Sequence, residues 1–198
     1  MNKLSQIIGL KYFIVIIIYF FLSACSEAQV SPTPNQILKL MDPVKEGQHV
    51  DENAWLISIE GDTLSYKEFK GKWLLIDYWT AGCIPCIKEF PILDKYYQTI
   101  DKSKLEIISL SVDGNIKRWK KARNKYDFQM PKYYAGSEIN NPFLSINFQL
   151  MKNKDGSQKI VTLTPQYVLI SPDGLIVDKD IPKPSDGSFG DVIEGYIN

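Results

Sequence analysis

The stretch Trp73-Leu74-Leu75-Ile76-Asp77-Tyr78-Trp79-Thr80-Ala81-Gly82-Cys83-Ile84-Pro85-Cys86 decides the fold. Its first seven residues are strand formers with almost no polar alternation, the pattern of a strand covered on both faces. The two cysteines follow where a helix is expected to open. At the first turn of a helix both sulfurs lie near unpaired backbone N–H groups and the positive end of the helix dipole, which favours the thiolate. The thiolate is the species that attacks a disulfide. Cys83 is therefore the candidate nucleophile and Cys86 the candidate resolving thiol.

Asp77 interrupts the apolar run. A carboxyl in a strand covered on both faces is costly to ionise, so its pKa is expected to rise, and a raised-pKa acid beside a thiol pair is a candidate proton acceptor. The other reading of the same residue is a satisfied structural aspartate at a strand end.

These residues resemble the thioredoxin-like superfamily and, within it, the membrane-tethered thiol-disulfide oxidoreductases of the TlpA/ResA type. The resemblance rests on Asp77 six residues before the first cysteine, Trp79, the Cys-x-Pro-Cys core, Lys88-Glu89-Phe90-Pro91 after it, and Thr164-Pro165 before a later strand. It implies a three-layer α/β fold, a central mixed sheet flanked by helices, with an N-terminal β-hairpin extension. It also implies a cis proline at Pro165 facing the cysteines, and a substrate-contacting rim of Trp79, Gly82, Ile84, Pro85, Thr164 and Pro165. The family usually carries Trp or a similar residue directly before the first cysteine; this chain has Gly82.

The chain has 198 residues, with 23 Lys and Arg balancing 23 Asp and Glu. That length suits one domain with a hydrophobic core, and the balanced charge gives no reason to expect a nucleic-acid partner. The first residues are a targeting segment. Lys3 and Lys11 give a basic start, residues 12–21 an apolar run short for a spanning helix, and Leu22-Ser23-Ala24-Cys25 resembles a bacterial lipobox, the other reading being an uncleaved anchor with an incidental cysteine. Residues 1–24 are thus expected to be a lipoprotein signal peptide, with Cys25 lipidated. Residues 25–47, carrying Pro32, Pro34 and Pro43, read as a tether with one short turn at 36–41, and 48–198 as the thioredoxin-like domain. The expected location is the cell envelope, lipid-anchored and facing the periplasm. Ser26 after the lipid cysteine favours the outer membrane if the cell has one. With Cys25 committed to lipid, only Cys83 and Cys86 remain, so no structural disulfide framework is available.

Along the domain, residues 54–59 and 63–65 read as two short strands about Gly61-Asp62, and Gly71-Lys72 leads into the first core strand. The helix after the cysteines is expected over 84–100, with Ile87, Phe90, Leu93, Tyr97 and Ile100 on its buried face and a kink at Pro91. Residues 105–112 form a second apolar strand ending in Asp113-Gly114, and 116–125 a basic amphipathic helix whose charged face reads as solvated surface. Alternation of strand and helix argues for a sheet with crossovers. A helix is expected over 140–149, a polar loop over 151–156 and a short strand or extended run over 160–163. A hairpin follows, 166–170 and 175–178 about Ser171-Pro172-Asp173-Gly174, lying at the sheet edge beside the active strand. A terminal helix is expected at 191–197.

Three functions compete on these residues. The leading one is dithiol-disulfide exchange through Cys83 and Cys86 with no metal and no organic cofactor. The second is a peroxidase, because Thr80-Ala81-Gly82-Cys83 has the Thr-x-x-Cys spacing of peroxiredoxins, although Asp77 stands where those sites place proline. The third is metal handling such as copper delivery, which suits two thiolates but needs further ligands. The only histidine, His49, reads as a linker residue, and Met130 and Met151 as core or loop fillers. Ile84-Pro85 supplies no cation to stabilise the thiolate, so the pair is expected to act as a reductant, opposed slightly by Lys88. The partners expected are disulfide-bearing envelope proteins and a membrane electron donor. Resemblance to TlpA/ResA adds cytochrome c biogenesis as the client context.

Overall fold

The computed structural model describes residues 43–136, 138 and 140–198. The expected signal peptide, Cys25, and the tether as far as residue 42 with its turn at 36–41 lie outside them.

The apolar run forms β3 (Trp73–Trp79), and it is central. Its parallel neighbour is β4 (Leu105–Ser111), with Asp77 opposite Ser109. Its antiparallel neighbour is β8 (Gln166–Ile170), with Asp77 opposite Tyr167. β4 pairs in parallel with β5 (Lys132–Tyr134). The hairpin β1 (Trp55–Ile57) and β2 (Thr63–Ser65) joins the far side through Ile57 and Tyr134. β9 (Ile176–Asp178) closes the other edge, giving the order β2-β1-β5-β4-β3-β8-β9. This is the expected mixed sheet with its N-terminal hairpin.

Because side chains alternate across a strand, β3 supplies two cores. Leu75 and Trp79 face α1 (Ile84–Tyr97), α2 (Ile116–Lys125) and α4 (Phe189–Ile197), through Phe90, Leu93, Trp119 and Ile193. Leu74, Ile76 and Tyr78 face the other layer, built from the 3-10 turn Tyr66–Phe69 and α3 (Pro142–Asn147). Asp77 belongs by alternation to the α1 side. Truncating a residue such as Leu93, wholly buried under this layer, removes about 2–5 kcal/mol.

α1 ends at Tyr97, three residues before the expected 100, because Thr99 N–H and its hydroxyl both bond Tyr96 O and tighten the last turn. Of its expected buried face, Phe90, Leu93 and Tyr97 are buried, while Ile87 and Ile100 are only partly so. α2 has the expected bounds: Asn115 caps it by accepting from Lys117 N–H at 2.8 Å.

The expected helix over 140–149 is corrected at both ends. Asn141 caps the start by accepting from Phe143 N–H, and the chain turns extended at Phe148. Phe148–Lys152 is instead strand β6, paired with β7 (Gln158–Thr162) in a separate two-stranded sheet. The expected polar loop thus starts two residues later, and the run at 160–163 belongs largely to this arm. Residues 44–47, the end of the expected tether, run against the domain: Val44 N–H bonds Ser145 O and Gly47 N–H bonds Ile176 O.

Candidate active site

α1 begins at the cysteines because Cys83 takes the capping position, with extended backbone, and Pro85 occupies the first turn. Proline suits that turn, since its missing N–H would be unpaired there anyway. Cys83 Sγ accepts the Cys86 backbone N–H at 3.2 Å. The sulfur therefore sits at the positive end of the helix, where negative charge is favoured. Cys83 and Cys86 are joined in a disulfide. Cys83 is 9% exposed and Cys86 0%, so only the first sulfur meets an incoming group.

Beneath α1 lies a row of polar side chains across three strands. Asp77, Ser109 and Tyr167 are adjacent in register and buried. Neither Asp77 oxygen, nor the Ser109 and Tyr167 hydroxyls, has a hydrogen-bond partner among the described residues. Burial pushes the Asp77 carboxyl up to about 8, and the negative Glu89 adds to the rise. Asp77 is thus no satisfied strand-end aspartate. Glu89, in α1 one turn after Cys86, is held by Ser185, whose N–H and hydroxyl each donate to it at 2.8 Å. Burial, with the charges of Asp77 and Glu89, holds the Tyr167 phenol far above its ordinary range.

The loop carrying the cysteines is fastened from the side. Parallel strands β3 and β4 end together, and Val112 N–H bonds Trp79 O. Just beyond, the buried Asp113 carboxylate accepts Ala81 N–H at 2.8 Å and the Ser111 hydroxyl at 2.9 Å through one oxygen. Its other oxygen lies 3.7 Å from Arg118 Nε in the first turn of α2. Arg118 Nη2 in turn lies over Gly82, only 3.3 Å from where a side chain there would begin. The bare residue before Cys83 therefore leaves room for a guanidinium. Sequence reasoning assigned no role to Glu89, Asp113, Arg118 or Tyr167. For Glu89 alone a signal existed, a carboxylate one helical turn after the second cysteine.

Of the expected rim, Gly82, Ile84 and Pro85 are exposed, Ile84 by 61%. Thr164 and Pro165 are half-buried, and the bond between them is cis, as expected. Trp79 is not part of the rim. It is fully buried and meets Phe90 edge-on with ring centroids 5.1 Å apart, so it supports α1 from below. His49 is exposed but not in a free linker: it forms a bridge with Leu175, and its Nε2 lies 3.7 Å from Asp173. Met130 is buried in the core with α1, and Met151 is exposed on β6.

Compared with known proteins, residues 47–179 match the model of the AhpC/TSA family, more than half of the chain. The chain belongs to the AhpC/TSA family. Among curated relatives of this AhpC/TSA chain, the thiol-disulfide oxidoreductase ResA of Bacillus thuringiensis subsp. konkukian is 32% identical over 79 residues, 40% of this chain and 46% of that protein. The match thus spans less than half the length of that relative. The ResA protein of Bacillus cereus is 27% identical over 146 residues, 73% of each chain. Solved structures share the fold. The thioredoxin domain of a Bacteroides vulgatus thiol-disulfide oxidoreductase is 24% identical with a TM-score of 0.61, covering 78% of this chain and 99% of that one. A thiol:disulfide interchange protein from Bacteroides sp. gives 24% and 0.60, covering 78% and 91%. The thioredoxin-like fold expected from the cysteine stretch is thus present in this AhpC/TSA member.

Proposed function

We propose that the chain is a thiol-disulfide oxidoreductase acting as a protein-disulfide reductase in the bacterial cell envelope, anchored through lipidated Cys25 after removal of residues 1–24. The observation that carries the reading is the Cys83–Cys86 disulfide closed over the start of α1, with its first sulfur capped by a backbone N–H and the buried Asp77 in the layer below. The ResA relatives support the same chemistry.

In the reduced enzyme the Cys83 thiolate attacks one sulfur of a client disulfide. A Cys83–client disulfide forms, and the client's other sulfur leaves as a thiolate that takes a proton from solvent. Asp77, when ionised, accepts the proton of Cys86. The Cys86 thiolate attacks Cys83 Sγ, closes the ring seen here and releases the second client sulfur, which is protonated in turn. Two electrons and two protons have passed to the client. A membrane electron donor reopens the ring, and Asp77, protonated up to about pH 8, returns a proton to the leaving Cys86 sulfur. Clients are envelope disulfides, among them those of cytochrome c maturation. For a peroxidase, Asp77 stands where proline is required.

The deciding experiment equilibrates the full-length protein against defined thiol buffers. A reduction potential of about −220 mV or lower places the pair among reductants, whereas a value near about −120 mV makes it an oxidant of folding proteins. Globomycin, which blocks lipoprotein signal cleavage, should leave a larger precursor, and Cys25→Ser should abolish lipid labelling; unchanged processing and labelling would remove the anchor from the proposal.

A further inference from the structure

α2 has a charge pattern that the fold does not require. Its sequence Ile-Lys-Arg-Trp-Lys-Lys-Ala-Arg-Asn-Lys contains six cations and no acid. Cations in the first turn oppose the helix dipole, which favours acids there, yet Lys117 and Arg118 occupy that turn. Arg123 is used internally, lying over the Trp119 ring and donating to Ile59 O. Arg118 is not: its side chain is 62% exposed and its ion pair with Asp113 is a long one at 3.7 Å. Asp113 is itself 2% exposed and already holds Ala81 and Ser111. The pair aims the guanidinium across Gly82, the residue bonded to Cys83. Lys121 and Lys125 continue the same stripe along the helix at spacings of three and four.

We propose that Arg118 is a specificity-determining residue for thiol-disulfide exchange at Cys83, and that with Lys117 and Lys121 it docks an acidic polypeptide segment beside the partner's disulfide. The inference rests on the exchange reading above. Successive Cα atoms are about 3.8 Å apart, so the carboxylate that meets Arg118 belongs to a residue next to the partner's half-cystine or one further on. Gly82 is part of the device, because a side chain there would press on the guanidinium. Farther along, Asp94 and Asp127 lie with Lys125 in the groove between α1 and α2, so the acid-accepting surface ends there.

The test uses the reduced full-length protein and three disulfide-bonded peptides, identical except for Glu, Gln or Lys beside the half-cystine. The acidic peptide should be reduced about fivefold faster than the basic one at low ionic strength, the difference shrinking with added salt. Arg118→Glu should invert that order without moving the reduction potential. Lys154→Glu, the same charge change in the β6–β7 turn, should leave the order intact. One rate for all three peptides overturns the inference alone. So does an equal effect from Lys154→Glu, or a uniform slowing in Arg118→Glu together with a shifted potential, which would make Arg118 a thiolate stabiliser instead. If no peptide is reduced at all, the exchange reading falls and this inference with it.

Discussion

Asp77 on β3 stands directly opposite Tyr167 on β8, both buried on the face beneath α1, and neither side chain is hydrogen-bonded among the described residues. A carboxyl so placed keeps its proton until about pH 8. The step in which Cys86 gives up its proton should therefore accelerate as pH rises toward 8 and level off above it. Asp77→Asn should lose that limb and slow exchange about 100-fold at pH 8. Stopped-flow rates across the pH range check this; superimposable profiles would remove Asp77 from proton transfer.

The same group makes stability depend on pH, with a definite sign. Its folded pKa lies above the ordinary aspartate value of 3.8, so the folded state binds the extra proton. That contribution is complete below about pH 3.8, declines as pH rises and is gone above about pH 8. The slope it adds is at most about 1.4 kcal/mol per pH unit. Urea unfolding of the oxidised protein should show stability falling through this window, and Asp77→Asn should flatten the fall.

Glu89 offers a separate handle. Its charge raises Asp77, so Glu89→Gln should move the kinetic limb to lower pH. The variant also weakens the two bonds from Ser185, at a cost of about 1 kcal/mol. A limb that moves upward, or stays in place, would show that Glu89 does not act on Asp77.

Much of this architecture was legible in the sequence. β3 announced itself because burial on both faces leaves a run with one polar interruption, and α2 because its basic residues leave an amphipathic pattern over 116–125. β5 was missed because three residues after Pro131 are too few to display a period. β6 was divided between the end of an expected helix and the start of an expected loop, because its pairing with β7 is decided by tertiary context. The redox pair needed only local spacing. Asp113 did not reveal itself, since its partner Ala81 is 32 residues away, and Arg118 beside Gly82 is a meeting of a helix start with a distant loop that no linear spacing records. Trp79 was placed on the rim by the family resemblance, although it ends a run whose pattern is that of a strand covered on both faces.

Asp113→Ala should cost about 2 kcal/mol, because it leaves the part-buried Ala81 N–H unpaired and empties a buried carboxylate position. Urea midpoints would measure this. Asp113→Asn should recover part of the loss, and equal losses in both would mean that the hydrogen-bond geometry at this carboxylate contributes nothing beyond its charge.

Cys86→Ser should accumulate a covalent complex with a disulfide substrate through Cys83, visible by intact mass, whereas Cys83→Ser should form little or none. The ground is accessibility, since Cys86 is wholly covered. Equal trapping by the two variants would reverse the assignment of nucleophile and resolving thiol.

The arm β6–β7 hangs between two fixed points. Asn147 at the end of α3 donates to Leu163 O at 2.8 Å and to Gln166 Oε1 at 2.7 Å, closing the base of the arm against the start of β8. Beyond that clasp the two strands pair only with each other among the described residues, outside the seven-stranded sheet, while Phe148 and Ile160 at the base pack against the core under β3. Relatives can therefore lengthen, shorten or rewrite this excursion without disturbing the redox centre, as exposed loop tips generally allow. Sequence divergence is expected to concentrate there while the clasp residues stay put, making the arm the part of the molecule best suited to being remodelled for different partners.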